Sequence, residues 1–268
     1  MEHSIFGTDL APTMQRVAQF FSRQPPKTYN ILSIGFRGAG KTVFLAGSYT
    51  SLHFNRKKAR LHQEWLDCQD AESHEKMNQL LDFITQSRQY PPPTLKATEF
   101  KFSVKTRTLC GVKTRCHLHW WDIPGEFCQP NNADLQLLLF SSHACCLLID
   151  APAFVNDRPY QQKVKSVLQQ LANFLPKSQA NRPNYPLAVI LTKFDLLQTE
   201  LSRGQLKQQL QPFVQDLRSH QINAHGFTSA IPLISFGASV TLHPQGTGAP
   251  FRWLIAELSN SSYRKNQD

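Results

Sequence analysis

Eight residues constrain this chain more than any others: Gly35-Phe36-Arg37-Gly38-Ala39-Gly40-Lys41-Thr42. They match GxxxxGK[ST] and stand between Tyr29 to Ile34, which reads as a strand, and Lys41 to Leu52, which reads as a helix. Glycines let successive backbone N–H groups turn inward around a phosphate, and the helix N-terminus adds positive potential. Lys41 is placed to reach β- and γ-phosphate oxygens, and Thr42 to offer a hydroxyl to Mg²⁺. The loop implies a nucleoside triphosphate but does not choose the base.

Downstream, apolar runs alternate with amphipathic stretches. Phe100 to Thr106 and Gly111 to Trp121 read as a hairpin, and Ala144 to Ile149, Leu187 to Leu191 and Ile231 to Ser235 as further strands. Helices are expected over Val164 to Leu175, Leu206 to Arg218 and Phe251 to Leu258. Strands alternating with helices imply an α/β fold with a mostly parallel sheet covered on both faces. Residues 57–90 are polar, with Met77, Leu80, Leu81 and Ile84 at helical spacing, and read as a helical insertion stopped by Tyr90-Pro91-Pro92-Pro93. A short amphipathic helix carrying Met14, Val17, Phe20 and Phe21, with a linker, is expected within residues 1–28. The main domain then spans 29–259, and a polar tail 260–268.

No run approaches the ~18 consecutive apolar residues of a membrane span. Met1 to Asn30 lacks a basic stretch followed by an apolar core, so a secretory signal is not expected. The six cysteines form no CxxC pair and no ladder with His at zinc spacing, so a reducing, cytoplasmic setting is expected and a metal cluster is not. The net charge of +10 suits either an ordinary basic surface or attraction to an anionic one, RNA or membrane.

Two more motifs follow the loop. Asp122-Ile123-Pro124-Gly125 ends a strand: Asp122 can hold Mg²⁺, and Gly125 can bring a backbone N–H to a γ-phosphate with no side chain in the way. Thr192-Lys193-Phe194-Asp195 also follows a strand. The Asp195 carboxylate can accept two hydrogen bonds from guanine, a donor pair adenine lacks, and Lys193 can lay its aliphatic stem along the base.

In this order the motifs resemble Ras-like P-loop GTPases of the translation-factor-related class, and GxRGxGKT, Pro-Pro-Pro-Thr and DIPGE are similar to prokaryotic GTPases of the double-GTPase type. The resemblance implies a three-layer fold, with a six-stranded sheet bearing one antiparallel edge strand. It implies GTP/GDP and Mg²⁺ as ligands. It makes Thr94 the switch residue on Mg²⁺ and the γ-phosphate, with Thr98 as fallback. It also makes Gly237 and Ala238 the loop completing the guanine pocket, Ala238 offering its N–H to guanine O6.

Three departures bear on mechanism. Glu126 stands where Ras-like proteins carry the Gln that orients the attacking water, so slow intrinsic hydrolysis or rearrangement by a partner is expected unless Glu126 points away. Arg37 replaces a small residue and is read as a built-in arginine finger, a block to a partner's finger, or a solvent-facing side chain. Thr42 and Thr94 are 52 positions apart, the insertion filling the gap, and Arg88 beside it is a second candidate finger. The leading expectation is a GTP-hydrolysing switch with a GTP-dependent protein effector or regulator. A scaffold with little hydrolysis, an ATPase or kinase, and an RNA- or ribosome-associated GTPase are the competing readings.

Overall fold

The computed structural model describes residues 25–54, 56, 61, 63–129, 132–178, 184–237 and 239–264. The expected N-terminal helix lies outside them. Nine strands and seven α-helices are described: β1 (Lys27–Ile34), α1 (Lys41–His53), β2 (Glu64–Cys68), α2 (Ala71–Ser87), β3 (Thr98–Thr108), β4 (Gly111–Asp122), α3 (Ala133–Ser141), β5 (Ala144–Asp150), α4 (Ala151–Asn156), α5 (Arg158–Ser178), β6 (Pro186–Thr192), α6 (Glu200–Ser219), β7 (Asn223–Thr228), β8 (Leu233–Phe236), β9 (Ser239–Leu242) and α7 (Gly248–Arg264).

Seven strands form the main sheet in the order β2-β3-β4-β1-β5-β6-β7. The pairs from β4 to β7 are parallel, while β2–β3 and β3–β4 are antiparallel, so β3 alone runs against the rest. The central strands are apolar on both faces because both faces are covered. Along β5, Cys145, Leu147 and Ile149 join one core; Ala144, Cys146 and Leu148 join the other. Helices α3 to α6 cover the first face with residues such as Leu139, Phe154, Leu168 and Leu206. On the second, α1, α2 and α7 contribute Phe44, Leu45, Met77, Phe251 and Leu254. This is the expected three-layer α/β architecture. Among the described residues no helix is long and apolar enough to cross a membrane.

The strand count is seven, not six, and the differences lie at the edges. The polar stretch expected to be wholly helical contains β2, whose Trp65 and Leu66 are buried while Glu64 pairs with Arg115 of β4 and Asp67 with Lys105 of β3. Local periodicity hid it, because an edge strand pairing through charges looks like a solvated segment. At the opposite edge, β7 went unread because Gly226 and a polar sequence weaken its pattern; of its residues only Ala224 is buried. The strand expected over Ile231 to Ser235 instead opens a two-stranded hairpin, β8 with β9, outside the main sheet. Helix α7 also continues through Arg264, into the expected tail.

One aromatic stack fastens α1 and α7 to the sheet. Trp120 of β4 lies 4.8 Å from Phe251 of α7, and Phe251 lies 6.1 Å from Phe44 of α1, ring centre to ring centre. All three are fully buried. Phe251→Ala removes the middle ring and leaves a cavity, and chemical denaturation should show a loss of about 3–5 kcal/mol.

Candidate nucleotide-binding site

A cleft of about 550 Å³ opens where the carboxyl ends of β1, β6 and β7 meet. In open α/β sheets this is where ligands bind. Its floor is the Gly35–Thr42 loop. A Cβ on Gly35 would stand 2.6 Å from the Leu148 carbonyl oxygen, so only glycine lets the loop leave β1 pressed against β5. Gly38 and Gly40 turn the chain at φ +82° and +83°, and α1 begins at Lys41.

Lys41 is 6% exposed, and its Nζ donates to the Gly35 carbonyl at 2.8 Å. Burial pulls its pKa down, against the favourable charge of Asp122. Asp122, at the end of β4, is 1% exposed. Its Oδ2 accepts from the hydroxyls of Thr42 at 2.7 Å and Thr94 at 3.1 Å, and the two hydroxyls lie 2.7 Å apart. Burial pushes the Asp122 carboxyl up, opposed by those hydroxyls and by Lys41. Its Oδ1 is buried with no hydrogen-bond partner among the described residues. Three hard oxygen ligands converging from three segments, with one carboxylate oxygen unsatisfied, fit Mg²⁺.

The next segment presses on the loop. A Cβ on Gly125 would lie 2.2 Å from the Arg37 backbone nitrogen, so any larger residue must displace one strand of backbone. Glu126, just beyond it, pairs with the Arg37 guanidinium at 3.6 Å, both side chains more than half exposed. Two residues expected to act separately are thus brought together at the rim.

At the far end of the cleft, Thr192 shares its hydroxyl hydrogen between the Ala39 carbonyl at 2.8 Å and the Ile149 carbonyl at 3.1 Å, tying the loop to β5 and β6. Lys193 adopts φ +54° and its Nζ contacts Asp150 Oδ2 at 2.5 Å. Asp195 sits in a short 3₁₀ turn and lines the cleft. The Phe194 N–H donates to the Ser229 carbonyl, and the Ser229 N–H to the Leu191 carbonyl, which fixes that turn against the loop after β7.

That loop is a correction. Gly237, expected to complete the base pocket, forms the β8–β9 turn at φ +61° and does not line the cleft; Ala238 lies outside the described residues. The loop after β7, Ser229 and Ala230, stands beside the Asp195 turn instead, because β7, not β8, pairs with β6. Ser229 lines the cleft, and its hydroxyl is buried without a partner among the described residues. The signal was present in Phe227-Thr228-Ser229-Ala230, but recognising it requires seeing Asn223–Thr228 as a strand. Thr98 opens β3 and donates to the Lys96 carbonyl; Arg88 caps α2 at φ +56°; neither lines the cleft.

Tyr90 was read only as part of a helix stop, yet it walls the cleft together with Pro91, Pro92 and Pro93. Its hydroxyl donates to the Ile231 carbonyl at 2.9 Å, and burial and the Asp195 charge push its pKa up. The Tyr90–Thr94 segment therefore runs as a strap from the Asp195 end of the cleft to the Asp122 end.

Comparison with solved structures finds the fold elsewhere. The Arl6 BBS3 small GTPase from Trypanosoma brucei, with a bound nucleotide analogue, is 13% identical at a TM-score of 0.50, covering 88% of this chain and 99% of its own. The Saccharomyces cerevisiae Ski7 GTPase-like domain, bound to GTP, is 15% identical at a TM-score of 0.50, covering 92% of this chain and 52% of its own. At such identities the likeness is one of fold. Comparison with curated proteins returns no match. The family model described as Double-GTPase 2 matches residues 31–242, taking in the phosphate loop, Asp122, Asp195 and Ser229, and the chain therefore belongs to the Double-GTPase 2 family.

Proposed function

We propose that this protein is a Mg²⁺-dependent GTP switch that hydrolyses GTP slowly on its own. The observation that carries the reading is the convergence of Thr42, Thr94 and Asp122 oxygens within 2.7–3.1 Å beside Lys41, at one end of a cleft whose other end holds Asp195. Mg²⁺ at the three oxygens would neutralise charge on the phosphates. Lys41 is the cation that trades its loop carbonyls for phosphate oxygens. Thr94 and Gly125 each approach the γ-phosphate position from a separate loop, so its loss releases both. The Trypanosoma and yeast structures, with bound nucleotide analogue and GTP, support this ligand class.

Asp195 selects the base. Asp195→Asn should shift preference from guanine toward xanthine nucleotides, since an amide turns one acceptor into a donor. Competition binding among GTP, ATP and XTP checks this, and preference of the parent protein for ATP would overturn the assignment. Tyr90→Phe keeps the ring but removes the link to Ile231. Release of a fluorescent guanine nucleotide should then quicken about threefold to tenfold, the value of one hydrogen bond, as read by stopped-flow displacement.

A scaffold with little hydrolysis is the second reading, and the Arg37–Glu126 pair favours it. Glu126 occupies Arg37 and sets a carboxylate near the phosphate end. On the switch reading, Glu126→Gln releases Arg37, supplies a donor, and raises single-turnover hydrolysis by about tenfold or more. Arg37→Ala in that background removes the gain. Unchanged rates in both variants would leave the scaffold reading.

A further inference from the structure

The strongest feature outside the cleft is the far end of the β3–β4 hairpin. Among the described residues, β4 pairs with β1 only from Cys116 onward and β2 with β3 only as far as Thr106, so the hairpin end reaches past the described parts of both neighbours. Its two-residue turn is Leu109-Cys110, with Leu109 89% exposed and Val112 60% exposed beside it. Hairpin turns ordinarily carry Asn, Asp or Gly, so a leucine at the apex serves nothing in the turn itself. Basic residues ring this apolar point. Lys105 and Arg115 are engaged by Asp67 and Glu64, whereas exposed Arg107 and Lys113 have no carboxylate partner among the described residues.

We propose that this hairpin tip docks on an anionic phospholipid surface, Leu109 and Val112 entering the headgroup layer while Arg107 and Lys113 meet lipid phosphates and carboxylates. Charge and shape together choose this partner. The tip is convex and two residues wide, too small by itself for the ~1,000 Å² of a stable protein interface. A nucleic-acid reader would need aromatic faces for stacking, and among the described residues none stands at the tip. A shallow apolar point within a basic ring is what a charged bilayer accepts, each basic residue near the surface contributing roughly fivefold in affinity. The chain's net charge of +10 acts in the same sense. The tip lies at the end of β4 away from Asp122, so a docked molecule keeps its cleft open to solvent, and docking does not rest on the nucleotide reading.

The test uses the full chain with vesicles of phosphatidylcholine, with and without phosphatidylserine, and with single-stranded RNA as a competing ligand. Binding to serine-containing vesicles is expected, falling about tenfold or more for Leu109→Asp and for Arg107→Glu with Lys113→Glu. Both sites are exposed, and matching thermal unfolding confirms that the variants fold. An environment-sensitive dye on the exposed Cys110 thiol should shift to the blue on docking. Vesicle binding unchanged in both variants, no binding at all, or retention of RNA in preference to vesicles would each overturn the proposal.

Discussion

A buried ammonium organises this protein. Lys41 is 6% exposed at the start of α1, where an unpaired cation would be costly. The loop before it bends so that the carbonyls of Gly35 and Phe36 face its Nζ, and that bend requires glycine against the Leu148 carbonyl. Asp122 supplies the opposing charge from the end of β4, itself too buried to ionise comfortably without Lys41 and two threonine hydroxyls. The strand order serves this arrangement: β4 and β5 flank β1, which brings the Asp122 carboxylate and the Leu148 carbonyl to the same loop.

The cleft has two ends with different physics. At the Asp122 end, charges and hydroxyls are packed within hydrogen-bonding distance around a carboxylate that is 1% exposed. At the Asp195 end the wall includes Tyr90, Pro91 and Pro92, and one carboxylate is held there in a 3₁₀ turn against the Ser229 carbonyl. Tyr90 to Thr94 joins the two. Ile231 anchors that strap through its carbonyl, and its side chain packs so closely on α1 that a Cβ on Gly47 would lie 2.8 Å from it. The strap is thereby coupled to the helix that carries Lys41 and Thr42.

The insertion between α1 and the strap changes the molecule less than its length suggests. It adds β2 to the sheet edge and lays α2 on the second face, with Met77 and Ile84 buried. It therefore extends the same core, and β2 and α2 do not line the cleft. Its charged edge, with Asp67 meeting both Lys105 and Arg56, also blunts a strand that would otherwise be open to pairing.

The sequence by itself determined the layered α/β plan, because both-face burial writes continuous apolar runs into β5 and β6 and helical spacing into α5 and α6. It also singled out the loop that lines the cleft, because few residue types can follow the backbone at Gly35 and Gly40. It did not determine the edges. β2 and β7 are held by pairing with a neighbour and not by their own apolar pattern, so Ser229 and Ala230 were legible only once β7 was placed beside β6. The phosphate loop illustrates the division best. Its eight residues announced the site, but the pairing of Arg37 with Glu126, the contact of Gly125 with the loop backbone and the meeting of Thr42 with Thr94 join positions up to 89 apart in number from their partners. Contacts of that separation are decided by how the layers pack, and only the tertiary structure supplies them.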